Sequence, residues 1–242
     1  MSCYVVGDIH GCLEELRCLI ERLPLRDADR IVFLGDYIDR GPYSKGVVSF
    51  LLELHKASSV ETVFLKGNHE DMLLSYLGLP GSHGEVFLHN GGQATLASYG
   101  IVAAGFPATG VAQRMPDEHL EFYLNLKTFC VVESYLCVHA GIQPLRRLDE
   151  QNELDMFWIR SEFIRNPHKL PFTVLFGHTP QKEVLFDLPY KIGLDTGLVY
   201  GNKLSCLALD DKVIYQVKRG AKTVQQLAVD EKWSRIPNSR AP

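Results

Sequence analysis

The sequence predicts an α/β fold with a parallel sheet at its N-terminal side and a second sheet beyond it, and three observations carry that expectation. Short apolar runs at residues 3–6, 31–34 and 62–65 are each followed by a stretch with apolar residues at helical spacing, at 13–23, 47–54 and 72–77. Strand–helix units in succession imply parallel strands joined by right-handed crossovers. Two further strand-like runs at 135–138 and 173–176 each end in a histidine motif, and runs at 204–209 and 213–217 flank Asp210-Asp211 as a hairpin. That hairpin points to a second sheet after Ile192 rather than to a longer parallel one.

Taken in order, the first three runs open into Gly7-Asp8-Ile9-His10-Gly11, Gly35-Asp36-Tyr37-Ile38-Asp39-Arg40-Gly41 and Gly67-Asn68-His69-Glu70. In open α/β sheets ligands bind outside the carboxyl ends of the strands, so these turns are expected to share one crevice. Glu70 and Asp71 read as first-turn helix residues favoured by the helix dipole. Residues 78–116 are rich in glycine and weakly periodic, an excursion bordering the crevice, with a helix expected over 117–127. The later runs deliver His139-Ala140-Gly141 and Gly177-His178-Thr179-Pro180. No internal repeat or linker divides the chain, so a single domain over 1–229 with a flexible tail over 230–242 is expected.

Composition narrows the classes. The 242 residues are 46% hydrophobic and 22% charged, ordinary for a soluble globular protein, and a formal net charge of −4 offers no basic footprint for a nucleic-acid backbone. No apolar run approaches the roughly 18 to 20 residues that span a bilayer, and the N-terminus shows no signal-peptide pattern, so a cytoplasmic protein without membrane or nucleic-acid partners is expected. The six cysteines form no C-x-x-C pair and several lie in apolar stretches, which reads as reduced core thiols rather than a zinc or redox centre.

The chemistry lies in the motif residues. Asp8 and His10, two apart, present their side chains to one side in an extended segment and can grip one cation. Asp36, at the next strand end, can give one carboxylate oxygen to each of two ions, and Asn68, His139 and His178 complete a second set of oxygen and imidazole ligands. Carboxylate and amide oxygens mixed with imidazole suit Mn, Fe or Zn. A histidine at one strand end is most often a core or surface residue. Five strand ends presenting metal-competent residues between glycines are not readily a coincidence, and two ions about 3.5 to 4 Å apart could clamp attacking and leaving oxygens. His55, His83, His89, His119 and His168 fit no ligand motif and read as structural or exposed.

These motifs closely resemble the signatures of the phosphoprotein phosphatase family within the calcineurin-like metallophosphoesterases, over residues 8–211. With Asn90-Gly91-Gly92 and Leu194-Asp195-Thr196-Gly197, the chain looks like the bacterial and phage branch that holds small serine/threonine phosphatases and symmetrical dinucleoside tetraphosphatases. The resemblance implies a four-layer sandwich of two mixed β-sheets flanked by helices. It implies a first metal on Asp8, His10 and Asp36, and a second on Asp36, Asn68, His139 and His178, with manganese the expected ion and iron or zinc the alternatives. It further implies that His69 is the general acid, that Asp39 orients and charges it, and that Arg40, Arg160 and Asn68 bind the substrate phosphate. Such an acid is worth roughly 10² to 10⁴ in rate, and a guanidinium fork fits two phosphoryl oxygens where lysine cannot.

The activity so implied is hydrolysis of phosphoserine or phosphothreonine by a metal-bridging hydroxide, on a phosphorylated protein or peptide. The alternative is a symmetrical dinucleoside tetraphosphate hydrolase, with other small phosphoesters also open as substrates. Glu70 after Gly67-Asn68-His69 weighs against that alternative, because the tetraphosphatase branch usually carries aspartate there. An inactive phosphate-binding scaffold would lack a ligand or the acid, and none is lacking here.

Overall fold

The computed structural model describes residues 2–57, 59–103, 105–108 and 110–234. Its first sheet has the strand order β11-β10-β9-β1-β2-β3. The strands β1 (Cys3–Val6), β2 (Arg30–Phe33) and β3 (Glu61–Phe64) run parallel, with Val5 opposite Val32 and Val32 opposite Val63. Helices α1 (Leu13–Ile20) and α2 (Ser44–Ala57) make the crossovers. The hairpin of β9 (Lys203–Ala208) and β10 (Val213–Lys218) is where the sequence expects it, but it joins this first sheet, β9 lying antiparallel to β1. The second sheet is built instead from β4 (Phe129–Val132), β5 (Tyr135–Val138), β6 (Thr173–Phe176), β7 (Leu185–Asp187) and β8 (Lys191–Gly193), in the order β4-β5-β6-β8-β7.

Side-chain alternation explains why the inner strands read as unbroken apolar runs. Along β1 and β2, Tyr4, Val6, Ile31 and Phe33 face the helices, while Val5 and Val32 face the second sheet. The second sheet does the same: Cys137 and Leu175 meet the first sheet, and Leu136, Val138, Val174 and Phe176 pack on α6 (Glu153–Trp158) and α7 (Ser161–Arg165) through Phe157 and Phe163. A strand covered on both faces needs apolar residues at every position. The result is four layers, helix, sheet, sheet and helix, two mixed sheets flanked by helices as the resemblance implied.

The excursion after α3 (Asn68–Tyr76) carries α4 (Gln93–Ser98), which packs on α2, and ends at α5 (Asp117–Leu124). Of the expected tail, Glu231–Ser234 forms α8, whose Trp233 donates to the Tyr135 hydroxyl at 3.2 Å and packs against Phe186, while residues 235–242 lie outside the described residues. All six cysteines are free thiols, and five of them are buried. Among the described residues no helix is long and apolar enough to cross a membrane.

Candidate metal centre

Each motif turn leaves its strand and bends sharply. Among the described residues nine that are not glycine have left-handed φ, and five of them, His10, Asp36, Asp39, Arg40 and His178, belong to the predicted site. Strain of this kind costs about 1 to 3 kcal/mol per residue and persists only where the surroundings hold it. The Asp8–His10 segment is therefore a turn rather than the extended stretch its spacing suggested, because His10 (φ 47°) bends to donate Nδ1–H to the Ile38 carbonyl at 2.8 Å.

Asp36 is the hub. One carboxylate oxygen faces His10 Nε2 at 3.4 Å and His69 Nε2 at 4.0 Å, and the other faces His139 Nε2 at 3.3 Å. Two candidate cation sites result, His10–Asp36–His69 and Asp36–His139–His178, in each of which the ligand atoms lie within 4.8 Å of one another. Asn68 joins the second, its Oδ1 lying 3.1 Å from His139 Nε2 and 2.9 Å from His178 Nδ1. Asp8 is in neither group but lies within electrostatic reach of Asp36, and its carboxylate accepts the His178 backbone N–H at 3.0 and 3.2 Å, tying the end of β1 to the end of β6. A side chain at position 177 would run into Asp8 Oδ1, so glycine there allows that approach.

The donor set fits cations. His139 donates its Nδ1–H to the Leu34 carbonyl at 2.8 Å, which leaves Nε2 as a lone pair facing the oxygens of Asp36 and Asn68. His10 is arranged alike: its Nδ1–H is spent on Ile38, and Nε2 faces Asp36 and the Arg40 guanidinium at 2.6 Å. Lone pairs converging on lone pairs in a buried place call for positive charge between them. Burial pushes His10 down to about 3 and lowers His139 and His178 as well, holding all three in the neutral form that ligates metal.

His69 differs. Burial alone would lower it, but Asp36 and Asp39 overcome that and raise it, favouring imidazolium. Asp39 Oδ2 lies 2.5 Å from His69 Nδ1, and the other Asp39 oxygen accepts the Thr95 hydroxyl at 2.5 Å. The Asp39 N–H is held by Thr95 Oγ1 at 2.9 Å and Ser44 Oγ at 3.1 Å. Thr95, on α4, shows what the excursion contributes, and no sequence pattern singled it out. The excursion also supplies the Gly91 carbonyl, which accepts the Arg40 N–H at 3.2 Å.

Glu70 lies in the first turn of α3, as the sequence reading has it, and it does more there than meet the helix dipole. It is wholly buried, and its carboxylate accepts the N–H groups of Gly67 and Asp36, both at 3.0 Å, and of Tyr37 at 2.8 Å. Burial and neighbouring Asp36 push it up to about 8, and the backbone donors pull the other way. It is the peg on which the Asp36 turn hangs. The signal available was a glutamate three residues after the glycine that starts a helix, the spacing of a capping residue. A side chain at position 67 would strike Asp36 Oδ1 and Glu70 Oε2, so only glycine lets these turns close.

Asp195 is a second residue to which the sequence assigned no role. It is buried and accepts the Gly197 N–H at 2.9 Å, and burial raises its carboxyl to about 6 against the pull of Gly197, Arg40 and Arg160. Arg160, at the start of α7, is exposed, and its charge helps lower His139 and His178. The predicted residues thus gather at one rim, with Arg40 against His10 and Arg160 within electrostatic reach of His139 and His178.

The calcineurin-like phosphoesterase model matches residues 1–212. An asymmetrical bis(5'-nucleosyl)-tetraphosphatase of Bacillus thuringiensis is 27% identical, over 84% of this chain and 88% of that protein. One from Oceanobacillus iheyensis is 26% identical over 90% and 92%. A crystal structure of a candidate diadenosine tetraphosphatase superposes with a TM-score of 0.65 at 25% identity, over 90% of this chain and 93% of that one. A Saccharomyces cerevisiae protein serine/threonine phosphatase shares the fold, with a TM-score of 0.52 at 13% identity over 95% and 80%. The match across nearly the whole chain and the buried histidine–carboxylate rim agree, and the chain belongs to the calcineurin-like phosphoesterase family, whose members are dinuclear metal-dependent hydrolases of phosphate esters.

Proposed function

We propose that this phosphoesterase hydrolyses dinucleoside tetraphosphates asymmetrically, releasing a mononucleotide and a nucleoside triphosphate. The observation that carries the reading is the carboxylate of Asp36 shared between two groups of candidate ligands, with His69, raised by Asp36 and Asp39 and so assigned to the acid rather than to the metal, facing the same carboxylate, and the Arg40 guanidinium against His10. Asp8, His10 and Asp36 would hold one divalent cation, and Asp36, Asn68, His139 and His178 the other. Such a pair supplies an acidified water near neutral pH and positive charge for the phosphoryl oxygens.

The remaining steps belong to the chain. Arg40 and Arg160, with the Asn68 amide, grip the non-bridging oxygens and hold the phosphorus in line, the planar guanidinium forks matching paired oxygens. His69, charged by Asp36 and Asp39, gives its Nε2 proton to the leaving oxygen, while Thr95 fixes Asp39 so that the imidazole keeps its orientation. The relatives named as asymmetrical tetraphosphatases support a dinucleoside substrate over the phosphoprotein that the sequence reading put first, and asymmetrical cleavage over the symmetrical alternative.

Phosphoserine and phosphothreonine remain the second reading, favoured by Glu70 after Gly67-Asn68-His69, where the resemblance would put aspartate in a symmetrical tetraphosphatase. Initial rates on a phosphopeptide, a free nucleotide and diadenosine tetraphosphate, with products separated chromatographically, decide between them. Adenosine mono- and triphosphate in equal amounts support the proposal. Two diphosphates, or turnover of the phosphopeptide alone, overturn it.

A further inference from the structure

Two tyrosines among the described residues keep more than half their surface exposed, and both flank Arg40. Tyr43 lies three residues along the chain at 53% exposure, and Tyr200 lies across space at 62%, its ring centre 5.4 Å from the Arg40 guanidinium carbon. Tyr200 stands on a built pedestal. The 3₁₀ turn Leu198–Tyr200 is bounded by left-handed Gly197 and Gly201. Its base is pinned by Asp195 Oδ1 accepting the Gly197 N–H at 2.9 Å, by the Asn202 N–H on the Gly197 carbonyl at 3.2 Å and by the Asn202 amide on the Lys182 carbonyl at 2.9 Å. An exposed aromatic whose backbone is already fixed gives up less freedom when a ligand binds.

One partner of the ring is already a cation that reaches the reacting centre, since Arg40 Nη1 lies 2.6 Å from His10 Nε2. The ring therefore sits one guanidinium away from the place where the phosphorus would react, with much of its surface open. We infer that Tyr200 is a stacking platform for the nucleobase nearest the scissile phosphate, the two joined through a single ribose. The inference rests on the nucleotide reading and adds to it where the base binds. A planar base suits a free aromatic face whatever its hydrogen-bonding edge, so the platform favours nucleosides without choosing among them. Because Tyr200 is so near the rim, the base it holds belongs to the phosphate being cleaved, as attack at the nucleoside-bearing phosphate requires. Symmetrical cleavage would place another phosphate between them.

The test uses the manganese-loaded full chain and compares inhibition by adenosine monophosphate with inhibition by inorganic phosphate, alongside kinetics on diadenosine tetraphosphate, for wild type, Tyr200→Phe and Tyr200→Ala. The ratio of the phosphate Ki to the nucleotide Ki is expected to fall about 5- to 150-fold in Tyr200→Ala, the span of aromatic–base stacking, and to be largely kept in Tyr200→Phe. Melting temperature verifies that both variants fold. An unchanged ratio, or equal weakening of both inhibitors, overturns the platform and leaves Tyr200 a support for Arg40. If wild type prefers the mononucleotide and loses that preference with Tyr200→Ala, yet does not turn over the tetraphosphate, the platform stands and the substrate reading falls. If it turns over the tetraphosphate with the ratio unmoved, the substrate reading stands and the platform falls.

Discussion

The two sheets meet at one rim but hold their functional residues there by different means. On the first sheet, Asp36, Asp39 and His69 are fixed by other side chains: Glu70 accepts the N–H groups of Asp36, Tyr37 and Ile38 in the Asp36 turn and of Gly67 at its own helix, and Thr95 and Ser44 surround Asp39. On the second sheet His139 leans on backbone, its Nδ1–H on the Leu34 carbonyl and its own carbonyl on the Gly177 N–H at 2.7 Å, and His178 leans on two proposed ligands, its N–H on Asp8 and its Nδ1 against Asn68. Backbone supports cannot be deleted by substitution, whereas side-chain supports can. Function should therefore be vulnerable at residues that touch no substrate on the first side, and on the second side mainly at the ligands themselves.

The largest effect expected from altering the first side short of a metal ligand is at the acid. His69→Asn should lower kcat by about 10² to 10⁴ with metal content kept, and the loss should shrink for a leaving group of low pKa. Loss of metal with normal turnover of the remaining holoenzyme would remove His69 from that role. Next comes Glu70→Gln, which puts an amide donor where only acceptors fit. We expect kcat/KM to fall about 10²-fold, and each backbone N–H left orphaned costs about 1 to 3 kcal/mol, lowering the melting temperature by several degrees. A variant with wild-type kinetics and melting would show that the Asp36 turn holds itself.

Smaller effects sharpen the comparison across the rim. Arg40→Lys should lose about tenfold or more in kcat/KM with melting and metal content unchanged, because an ammonium lacks the fork and cannot both meet His10 and grip phosphate. Arg160→Lys should lose less, since Arg160 is exposed. If Arg160→Lys alters only stability, it leaves the phosphate clamp. Thr95→Val is the smallest change, a several-fold loss in kcat from a less firmly held Asp39, and identical kinetics would show that Ser44 alone suffices.

The first side was also the more legible in sequence. Glycines between acids and histidines at three strand ends announced both the parallel strands and the residues of the rim, since sharp turns and metal ligands leave local marks. Glu70 was placed rightly in a helix's first turn, but its part in holding the Asp36 turn stayed hidden, because the first-turn position has a sufficient local explanation while its burial depends on Asp36 folding over it from 34 residues away. Thr95 left no mark at all: one threonine in a weakly periodic segment acquires meaning only when α4 packs on α2. The hairpin after Ile192 was recognisable as a hairpin, but which sheet it joins is set by the pairing of β9 with β1 across some 200 residues, and no local pattern encodes that. Short strands such as β7 and β8, three residues each, carry too little periodicity to be seen.

The central claim is that Asp36 bridges two cations on which hydrolysis depends. Exhaustive chelation followed by titration with manganese, reading activity and bound metal together, tests it most directly. The account predicts no turnover without metal, and recovery that tracks occupancy to two ions per chain in wild type but fails in Asp36→Asn. Full activity in metal-free protein, or saturation of activity with a single ion and undiminished turnover in Asp36→Asn, would contradict it.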